Sequence, residues 1–360
     1  MSTKETLSYP QGGHLWVFIN WALGFRACGC EVSWLEVVPP EMSPDELSVA
    51  LRRLKELLTP FGLADAVLIS RLSDDPSISE DEIGPFDFLF DMRYDLPERL
   101  RNRARRSALL DMDPGQLQIA IACGEYRDPQ HNAFFTIGSS GTPQARFPDL
   151  GKHWIYTPPA VYLPEWPSCA APEGAAWSTV AHWWGSWMVD ESGNHFPNGK
   201  RDGFLPLMRV PTEVKTRFVL ALDETGEREW IEAHGFEVGD AHTVGSTPLE
   251  YRAFIQQSLG EFSAAKPSYV LLQTAWMSDR TVCYLASGKP CVIENTGSLQ
   301  ALGLPRFDKG LHRFSGQTDA VQALKCVLAD YEKEAIAARQ IAEECFDAHK
   351  ICHRILTLTL

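Results

Sequence analysis

The stretch TAWMSDRTVCYLASGKPCVIENTG, residues 274–297, decides the fold that the sequence predicts. The Ser-Asp pair at 278–279 is a helix start, because side-chain oxygens at this position accept hydrogen bonds from free backbone N–H groups. A helix is therefore predicted over residues 280–286, and a Ser-Gly pair ends it. Apolar segments at 269–272 and Cys291–Glu294 predict buried strands on either side. Together these segments predict one βαβ step of a parallel sheet.

Two loops of this unit lie where ligands bind in parallel sheets. Residues 274–278 and 294–297 both follow the carboxyl end of a predicted strand, and the binding crevice of such sheets lies outside those ends. The first loop runs into the start of the helix at Arg280, where free N–H groups and the helix dipole favour an anion. The stretch therefore predicts a site for a ligand that carries phosphate.

The rest of the chain alternates strand-like and helix-like segments. It begins with a weak strand at 5–9, a Gly-Gly turn at 12–13, an apolar helix at 14–28 and a strand at 31–38. Further strands are predicted at 66–70, 86–91, 107–111, 133–137, 177–182 and 218–222, further helices at 44–58, 97–105, 116–122, 227–234, 249–265, 318–330 and 332–347, and an acidic loop at 74–84. This alternation predicts an α/β protein with doubly wound sheets.

One segment separates the chain into two such units. Residues 157–175 are rich in proline, alanine and glutamate, which is typical of a domain linker. We therefore predict one Rossmann-like domain at 1–165 and a second at 166–335, followed by a C-terminal segment at 336–360 that ends in a short apolar tail. A length of 360 residues agrees with two domains.

Composition excludes several classes of function. The net charge of −14 argues against a general nucleic-acid surface. Nine scattered cysteines without CxxC spacing argue against a zinc site and favour free thiols in a reducing cytoplasm. The polar N-terminus has no signal-peptide core, and the apolar segment at 15–25 is too short to span a membrane. We expect a cytoplasmic protein.

Three quoted segments carry a resemblance to a known family. They are QGGHLWVFINWALGFRACGCEVSWLE (11–36), YRAFIQQSLGEFSAAK (251–266) with the stretch that follows it, and ARQIAEECFD (338–347). They resemble glycosyltransferases of the GT-B fold, in particular a bacterial subgroup related to glycosyltransferase families 1 and 4. The resemblance implies two Rossmann-like domains facing across a cleft, with the nucleotide-sugar donor held mainly by the second domain and the acceptor mainly by the first. It also implies a C-terminal helix within 336–360 that packs back toward the first domain.

The chain departs from the family pattern at three places. Many retaining members have a ribose-binding Glu seven residues before the proline of the Gly-x-Pro turn, and Cys283 stands at that position. Lys289, Glu294 and Asn295 stand where the subgroup pattern has Arg, Gln and Asp. Retention and inversion of the sugar configuration therefore both stay open.

The resemblance and the loop chemistry together define a set of donor-binding candidates. The resemblance implies a diphosphate at the helix start and a sugar that reaches the loop after the next strand. The predicted donor-binding residues are Gly12, Gly13, Lys200, Thr274, Ser278, Asp279, Arg280, Glu294, Asn295 and Thr296. The alternatives are a plain tight turn for the Gly pair and a capped helix with a surface arginine for 278–280.

Three residues are catalytic candidates. His14, at the start of the first helix, is a general base, a phosphate ligand or merely a helix-start residue. Asp113 is either a base toward the acceptor hydroxyl or the cap of the next helix. Arg201, next to Lys200, neutralises the leaving diphosphate or is a solvated loop residue. Asp111 and Asp113 form a DxD motif, but this lies in the first domain and we assign no metal.

Aromatic residues near the predicted hinge allow two interpretations. Trp183, Trp184 and Trp187 stack on a base or a sugar, or they belong to the core. His182 is expected to be structural.

The resemblance thus implies a metal-independent glycosyltransferase without a cofactor. Its donor is a nucleotide-diphosphate sugar based on UDP or GDP, and its acceptor is a small molecule. The alternatives are a nucleotide-sugar epimerase or hydrolase on the same fold, and a non-catalytic nucleotide-sugar-binding protein. The sugar, the acceptor and the oligomeric state are not predicted.

Overall fold

A computed structural model describes residues 1–71, 83–223 and 225–360. Most of the acidic loop predicted at 74–84 lies outside these residues. The elements of the first half are α1 (Gly12–Ala27), β1 (Trp34–Val38), α2 (Pro44–Leu58), β2 (Val67–Arg71), β3 (Phe86–Asp91), α3 (Glu98–Arg101), β4 (Ala104–Asp111), α4 (Gln116–Ala122), β5 (Ala133–Thr136) and β6 (Trp154–Tyr156). The predicted helix at 44–58 is confirmed as α2, which begins with a reciprocal capping box between Ser43 and Glu46.

The first sheet is parallel and consists of two groups of strands, which Ser2 connects. β2 pairs with β1, and β3, β4, β5 and β6 pair in that order. Ser2 bridges Leu35 of β1 and Asp91 of β3 in parallel. The strand predicted at 5–9 is therefore wrong, because Glu5 has φ 60° and its carbonyl accepts the Tyr9 N–H at 2.7 Å in a turn. This turn leads the chain to the start of α1.

The second half contains a six-stranded parallel sheet. Its elements are β7 (Trp177–Ala181), β8 (Met188–Val189), β9 (His195–Phe196), α5 (Lys200–Phe204), α6 (Val210–Val214), β10 (Phe218–Leu222), α7 (Arg228–Ala233), β11 (Glu237–Asp240), α8 (Ala241–Val244), α9 (Pro248–Gln257), β12 (Gly260–Ser263), α10 (Pro267–Leu271), α11 (Asp279–Ala286), β13 (Cys291–Glu294), β14 (Leu311–Phe314), α12 (Gln317–Ala329), α13 (Tyr331–Ile341) and α14 (Ala348–Thr359). The strand order is β11-β10-β7-β12-β13-β14. This is the 3-2-1-4-5-6 order of a Rossmann fold, so the predicted doubly wound α/β class is confirmed.

The two predicted elements directly before the 274–297 stretch are also wrong. The helix predicted at 249–265 ends early as α9, and β12 follows it. The strand predicted at 269–272 is instead the end of α10, which Pro267 begins. Glu261 is fully buried in β12 because Arg280 of α11 binds its carboxylate at 2.8 Å, and local pattern does not reveal such a distant partner. The predicted helix and strand after it are confirmed as α11 and β13, so the βαβ step runs from β12 to β13.

The C-terminal helix also differs from the prediction. The helix predicted at 332–347 breaks after Ile341 into a π-helical turn. The chain then continues as α14, which Asp347 caps, and not as an apolar tail. α14 packs against α1 at Gly24, where a Cβ atom would lie 2.8 Å from the Cys352 sulfur. The second half of the chain therefore closes over the first helix of the first half.

One apolar core runs through both halves. It contains Trp16 of α1, Tyr251 of α9, Leu285 of α11 and Ile355 of α14. The indole of Trp16 donates to the Pro248 carbonyl at 2.7 Å. The starts of α1 and α11 are therefore fixed relative to each other by packing.

Candidate functional site

A cavity of about 250 Å³ lies between the start of α1 and the start of α11, and we call it the central cavity. It is lined by Tyr9, Gln11, Gly13, His14, Trp16, Val17, Asn20, Val180, Ala181, His182, Ala241, Gly245, Tyr251, Ser278, Asp279, Arg280 and Cys283. Predicted residues from distant parts of the sequence meet here, namely Gly13 and His14 from one domain and residues 278–280 from the other. The N-termini of two helices thus border one opening, and both favour an anion.

His14 lies in the wall of the central cavity as a neutral imidazole. Its Nε2 is 2.7 Å from the Lys4 carbonyl oxygen. Because a carbonyl only accepts, the proton lies on Nε2 and Nδ1 is left as the basic nitrogen. Burial lowers the pKa of His14 below its usual 6.5, and the Lys4 contact opposes this only in part. The ring therefore has the protonation state of a general base at neutral pH.

His182 lines the central cavity together with the residues predicted from the sequence, and Asp223 holds it in place. His182 follows β7, and its Nδ1 is 2.6 Å from the Asp223 carboxylate. Its Nε2 is 3.3 Å from the Tyr9 hydroxyl, which belongs to the first domain. His182 was expected to be structural, yet it lines the central cavity. Its place directly after the first strand of the second sheet was the available signal, since ligands bind at strand ends.

The start of α11 combines a cap with a carboxyl group of raised pKa. The Ser278 hydroxyl accepts the Arg280 N–H at 3.2 Å, so the capping interaction expected from the sequence is present. Burial, reinforced by Asp113, raises the pKa of Asp279 to about 7. A carboxyl group with this pKa is protonated in about half of the molecules at neutral pH, and the protonated form donates a hydrogen bond. Asp279 is thus compatible with an anion at this helix start.

The Arg280 side chain lines the central cavity. Its guanidinium donates to the Glu261 carboxylate at 2.8 Å, to the Val180 carbonyl at 2.6 Å and to the Ser263 hydroxyl at 2.9 Å. Glu261 balances its charge. The arginine therefore ties α11 to the ends of β7 and β12, and the surface arginine considered from the sequence is not what the structure shows.

A second, smaller opening of about 20 Å³ adjoins the central cavity, and we call it the lysine pocket. It is lined by Lys200, Glu261, Ser263, Ala264, Ala265, Trp276, Met277, Ser278, Arg280, Thr281, Ile293, Glu294 and Thr296. The Lys200 ammonium donates to the Ala264 carbonyl. Burial, with Arg280 nearby, lowers the pKa of Lys200 to about 7. Lys200 therefore carries a positive charge mainly below neutral pH.

The other residues of the lysine pocket are held by the backbone. Glu294 accepts the Ala265 N–H at 2.8 Å, and burial raises the pKa of Glu294. Thr296 donates its hydroxyl to the Trp276 carbonyl at 2.7 Å. Glu294 and Thr296 thus lie beside Lys200, within one opening.

The Gly pair has a packing role. A Cβ atom on Gly12 would lie 2.2 Å from the Thr247 carbonyl oxygen, and one on Gly13 would lie 2.7 Å from the Tyr251 ring. The Gly12 N–H donates to the Gly245 carbonyl at 2.6 Å. Glycine is required at these two positions because the second domain packs closely against α1. Gly13 lines the central cavity and Gly12 does not.

Asp113 does not line the central cavity and is not a helix cap. Tyr269 donates to its carboxylate at 3.0 Å and Tyr94 at 3.4 Å. The start of α4 is instead capped by Gln118, which accepts the Gly115 N–H at 2.7 Å. Asp113 lines a third opening of about 290 Å³, which we call the tyrosine pocket. Its carboxylate is therefore held by one tyrosine from each domain.

Asp111, the first residue of the DxD motif, has a structural role. Asp111 is fully buried and accepts hydrogen bonds from Gln118, Thr136 and Ser140 at 2.7–3.1 Å. Burial raises the pKa of Asp111 to about 6. In the part of the chain that the structure describes, no three His, Cys, Asp or Glu side chains cluster as metal ligands would.

Besides Gly12, three other predicted residues line none of these three openings. Arg201 forms a two-point ion pair with Glu227 at 2.7 and 2.9 Å. The Thr274 carbonyl accepts the Ser139 N–H at 2.7 Å, which joins the two domains. Asn295 accepts the Gly297 N–H at 3.1 Å and so shapes its own loop. Of the Lys200 and Arg201 pair, only the lysine faces a cavity.

Cys283, which stands where a ribose-binding Glu is common, is a buried wall residue of the central cavity. The Asn20 amide donates to its sulfur at 3.9 Å, and burial raises the pKa of the thiol. A thiol in this state is a small apolar group. All nine cysteines are free, including this one.

Solved structures share this architecture over nearly the whole chain. HepE of Anabaena, solved in complex with UDP, is 11% identical, with a TM-score of 0.55 over 99% of this chain and 97% of that one. Sucrose-phosphate synthase from Thermosynechococcus elongatus is 12% identical, with a TM-score of 0.52 over 94% and 90%. AviGT4, a glycosyltransferase involved in avilamycin A biosynthesis, is 14% identical, with a TM-score of 0.51 over 96% and 89%.

This likeness establishes the class of fold: the chain has the GT-B fold of glycosyltransferases, as the resemblance implies. No protein-family model and no curated protein sequence matches the chain. Among the described residues, no helix has the length and apolar character needed to cross a membrane.

Proposed function

We propose that this protein is a glycosyltransferase that uses a nucleotide-diphosphate sugar and needs no metal ion. UDP is the first candidate for the nucleotide of this donor. The observation that carries the proposal is the central cavity, where the helix starts at Gly13 and Ser278 face one opening with His14 beside them. Lys200 stands next to it in the lysine pocket. A GT-B fold with UDP bound in a structural neighbour supports the same reading.

In the proposed reaction, the bond between the sugar C1 and the diphosphate oxygen breaks, and a bond between C1 and an acceptor oxygen forms. The acceptor hydroxyl loses its proton to a base, and the nucleoside diphosphate leaves. The α11 start, protonated Asp279 and charged Lys200 stabilise the leaving diphosphate. His14, through Nδ1, or Asp113 receives the proton.

Thermal unfolding in the presence of UDP, GDP and dTDP tests the donor site. UDP at about 100 times its Kd adds about 2.7 kcal/mol to the free energy of unfolding and raises Tm. Lys200→Met is expected to reduce this shift. Lys289→Met is the matched control, because Lys289 is also buried and lines none of the three openings. No shift with any of the three diphosphates contradicts the proposal.

Product analysis separates transfer from the alternatives on the same fold. The protein is incubated with nucleotide-sugars alone, and the sugar and the nucleotide are identified by mass spectrometry and NMR. Transfer requires that turnover depends on an added acceptor. An epimerised or hydrolysed sugar formed at full rate without an acceptor identifies an epimerase or a hydrolase, and tight UDP binding without turnover over an acceptor panel identifies a binding protein.

A further inference from the structure

The segment between β7 and α5 forms a hairpin that extends beyond the second sheet. Its two strands, β8 and β9, pair in an antiparallel manner. Asp190 fixes the turn by accepting the backbone N–H groups of Ser192 and Asn194 at 2.9 and 2.8 Å. At its base a Cβ atom on Gly185 would lie 2.4 Å from the Asn198 carbonyl oxygen. The hairpin is thus closed at both ends, which is the condition for a defined binding surface.

The hairpin reaches the first domain and completes the tyrosine pocket. The Cys123 thiol donates to the Val189 carbonyl at 3.6 Å, and the Asn198 amide is 3.4 Å from the Gln116 amide oxygen. Residues from both domains therefore line this opening of about 290 Å³. Neither domain forms it alone.

The lining of the tyrosine pocket is aromatic and polar at the same time. Tyr94 and Tyr126 come from the first domain and Trp187 from the hairpin. Trp187 is 58% exposed, which leaves a large apolar ring open to a ligand. Gln116 and Asn198 add amide groups to the same opening. Ring faces with amides at their edges suit a pyranose, whose C–H face is apolar and whose hydroxyl groups point outward.

The charges of this pocket favour a neutral ligand. Asp113 and Glu125 contribute carboxylates. The Lys4 ammonium lies over the Tyr94 and Tyr126 rings, 5.5 and 5.7 Å from their centroids, in a cation–π arrangement. Among the described residues that line this pocket, two carboxylates stand against one cation, Lys4, which already interacts with the two tyrosine rings. A phosphorylated or carboxylated ligand is therefore repelled.

The tyrosine pocket adjoins the proposed reaction centre at two points. Tyr269 donates to Asp113 and packs on Trp276 of the lysine pocket, with ring centroids 4.7 Å apart. Lys4 lines the tyrosine pocket, and its carbonyl accepts the His14 ring N–H. The tyrosine pocket is thus connected to the lysine pocket through Tyr269 and Trp276, and to the central cavity through Lys4 and His14.

We infer that the tyrosine pocket is the acceptor subsite and that it takes a neutral saccharide, with a pyranose ring against Trp187 and a hydroxyl on Asp113. This inference rests on the proposed function and names its acceptor class. The hairpin of the second domain selects the acceptor together with the first domain, because it supplies the aromatic wall.

Saturation-transfer NMR with the methyl glycosides of glucose, galactose, mannose and N-acetylglucosamine tests this inference in the presence of UDP. The wild-type protein is expected to transfer saturation to at least one glycoside, and Trp187→Ala to weaken its binding about fivefold or more. Trp184→Ala is the matched control, because Trp184 is 54% exposed in the same segment but does not line the pocket. It is expected to bind like the wild type.

Two results overturn the inference: no glycoside receives saturation from the wild-type protein, or Trp187→Ala binds as the wild type does. The Tm shift with UDP is measured on the same samples. If UDP binds and the glycosides do not, the saccharide subsite is wrong and the donor site stands. If the glycosides bind at Trp187 and UDP does not, the proposed transfer is wrong and the saccharide site stands.

Discussion

At the scale of single residues, the site depends on groups whose protonation differs from that of free side chains. His14 is kept neutral by burial, whereas Asp279 and Lys200 both have pKa values of about 7. Both of the latter groups lose a proton as pH rises through 7. In the proposed donor site, an anionic donor would meet a neutral carboxyl and a charged lysine below that pH, and a carboxylate and a neutral amine above it.

Donor affinity is therefore expected to fall as pH rises from 6 to 8.5. UDP-glucose is the appropriate ligand for this measurement by calorimetry, since its diphosphate ester does not titrate in this range. Asp279→Asn imitates the protonated carboxyl, so it is expected to remove part of the pH dependence and to bind better than the wild type at pH 8.5. An unchanged pH dependence in Asp279→Asn contradicts this role.

His14→Gln tests His14, the first of the two candidate bases. Glutamine retains a donor toward the Lys4 carbonyl but has no basic nitrogen, so kcat is expected to fall about 100-fold or more with little change in Tm. The wild-type kcat is expected to decline below pH 6.5, because the lowered pKa places protonation of His14 there. Steady-state kinetics over pH 5–8 measure both effects. Full activity of His14→Gln would assign the proton transfer to Asp113 instead.

At the scale of elements, sequence pattern predicted the strands and helices whose partners are local. α11 and β13 followed from a cap, an apolar face and a Gly stop, and β3, α4 and β10 have their predicted bounds. β12 was missed because its buried Glu261 needs Arg280, which lies 19 positions later. α10 was read as a strand because its apolar residues do not reveal a single helical turn.

The residues of the candidate site, like the helices and strands, could be predicted only where the signal is local in sequence. The capped start of α11 and the residues at strand ends, such as Glu294, were found from local signals. The tyrosines around Asp113 and the Asp223 partner of His182 were not found, because each contact joins segments far apart in sequence. Arg201 was assigned to the cleft because nothing local shows its pairing with Glu227.

Gly260→Ala tests the unexpected strand β12. A Cβ atom there would lie 2.3 Å from the Pro290 carbonyl oxygen and 2.5 Å from the Trp177 ring. We expect a loss of about 1–3 kcal/mol in the free energy of unfolding, measured with urea. Gly239→Ala in β11 is the matched control, because its nearest neighbour would be 3.5 Å away. Equal stability of the two variants would contradict the packing of β12.

At the scale of the whole molecule, the two domains are joined by more than the linker. The apolar core shared by α1, α9, α11 and α14 fixes the starts of α1 and α11 relative to each other. In the proposed function, the central cavity and the lysine pocket hold the donor, and the tyrosine pocket holds the acceptor. The domain contact at Gly12 is therefore expected to affect binding at a distance from the ligand.

Gly12→Ala is expected to weaken UDP binding although Gly12 lines none of the three openings. The added Cβ atom would meet the Thr247 carbonyl and displace α9 from the start of α1. Calorimetry with UDP measures the effect, and circular dichroism checks that the fold is retained. Unchanged affinity would show that this contact does not position the site.

Amide hydrogen–deuterium exchange with and without UDP tests the proposed donor site most directly. Slower exchange is expected in the bound state at both walls of the central cavity, in peptides that contain the start of α11 at Ser278 and the start of α1 at Gly13. Exchange that stays unchanged at these two helix starts at saturating UDP, or protection confined to other parts of the protein, would contradict it.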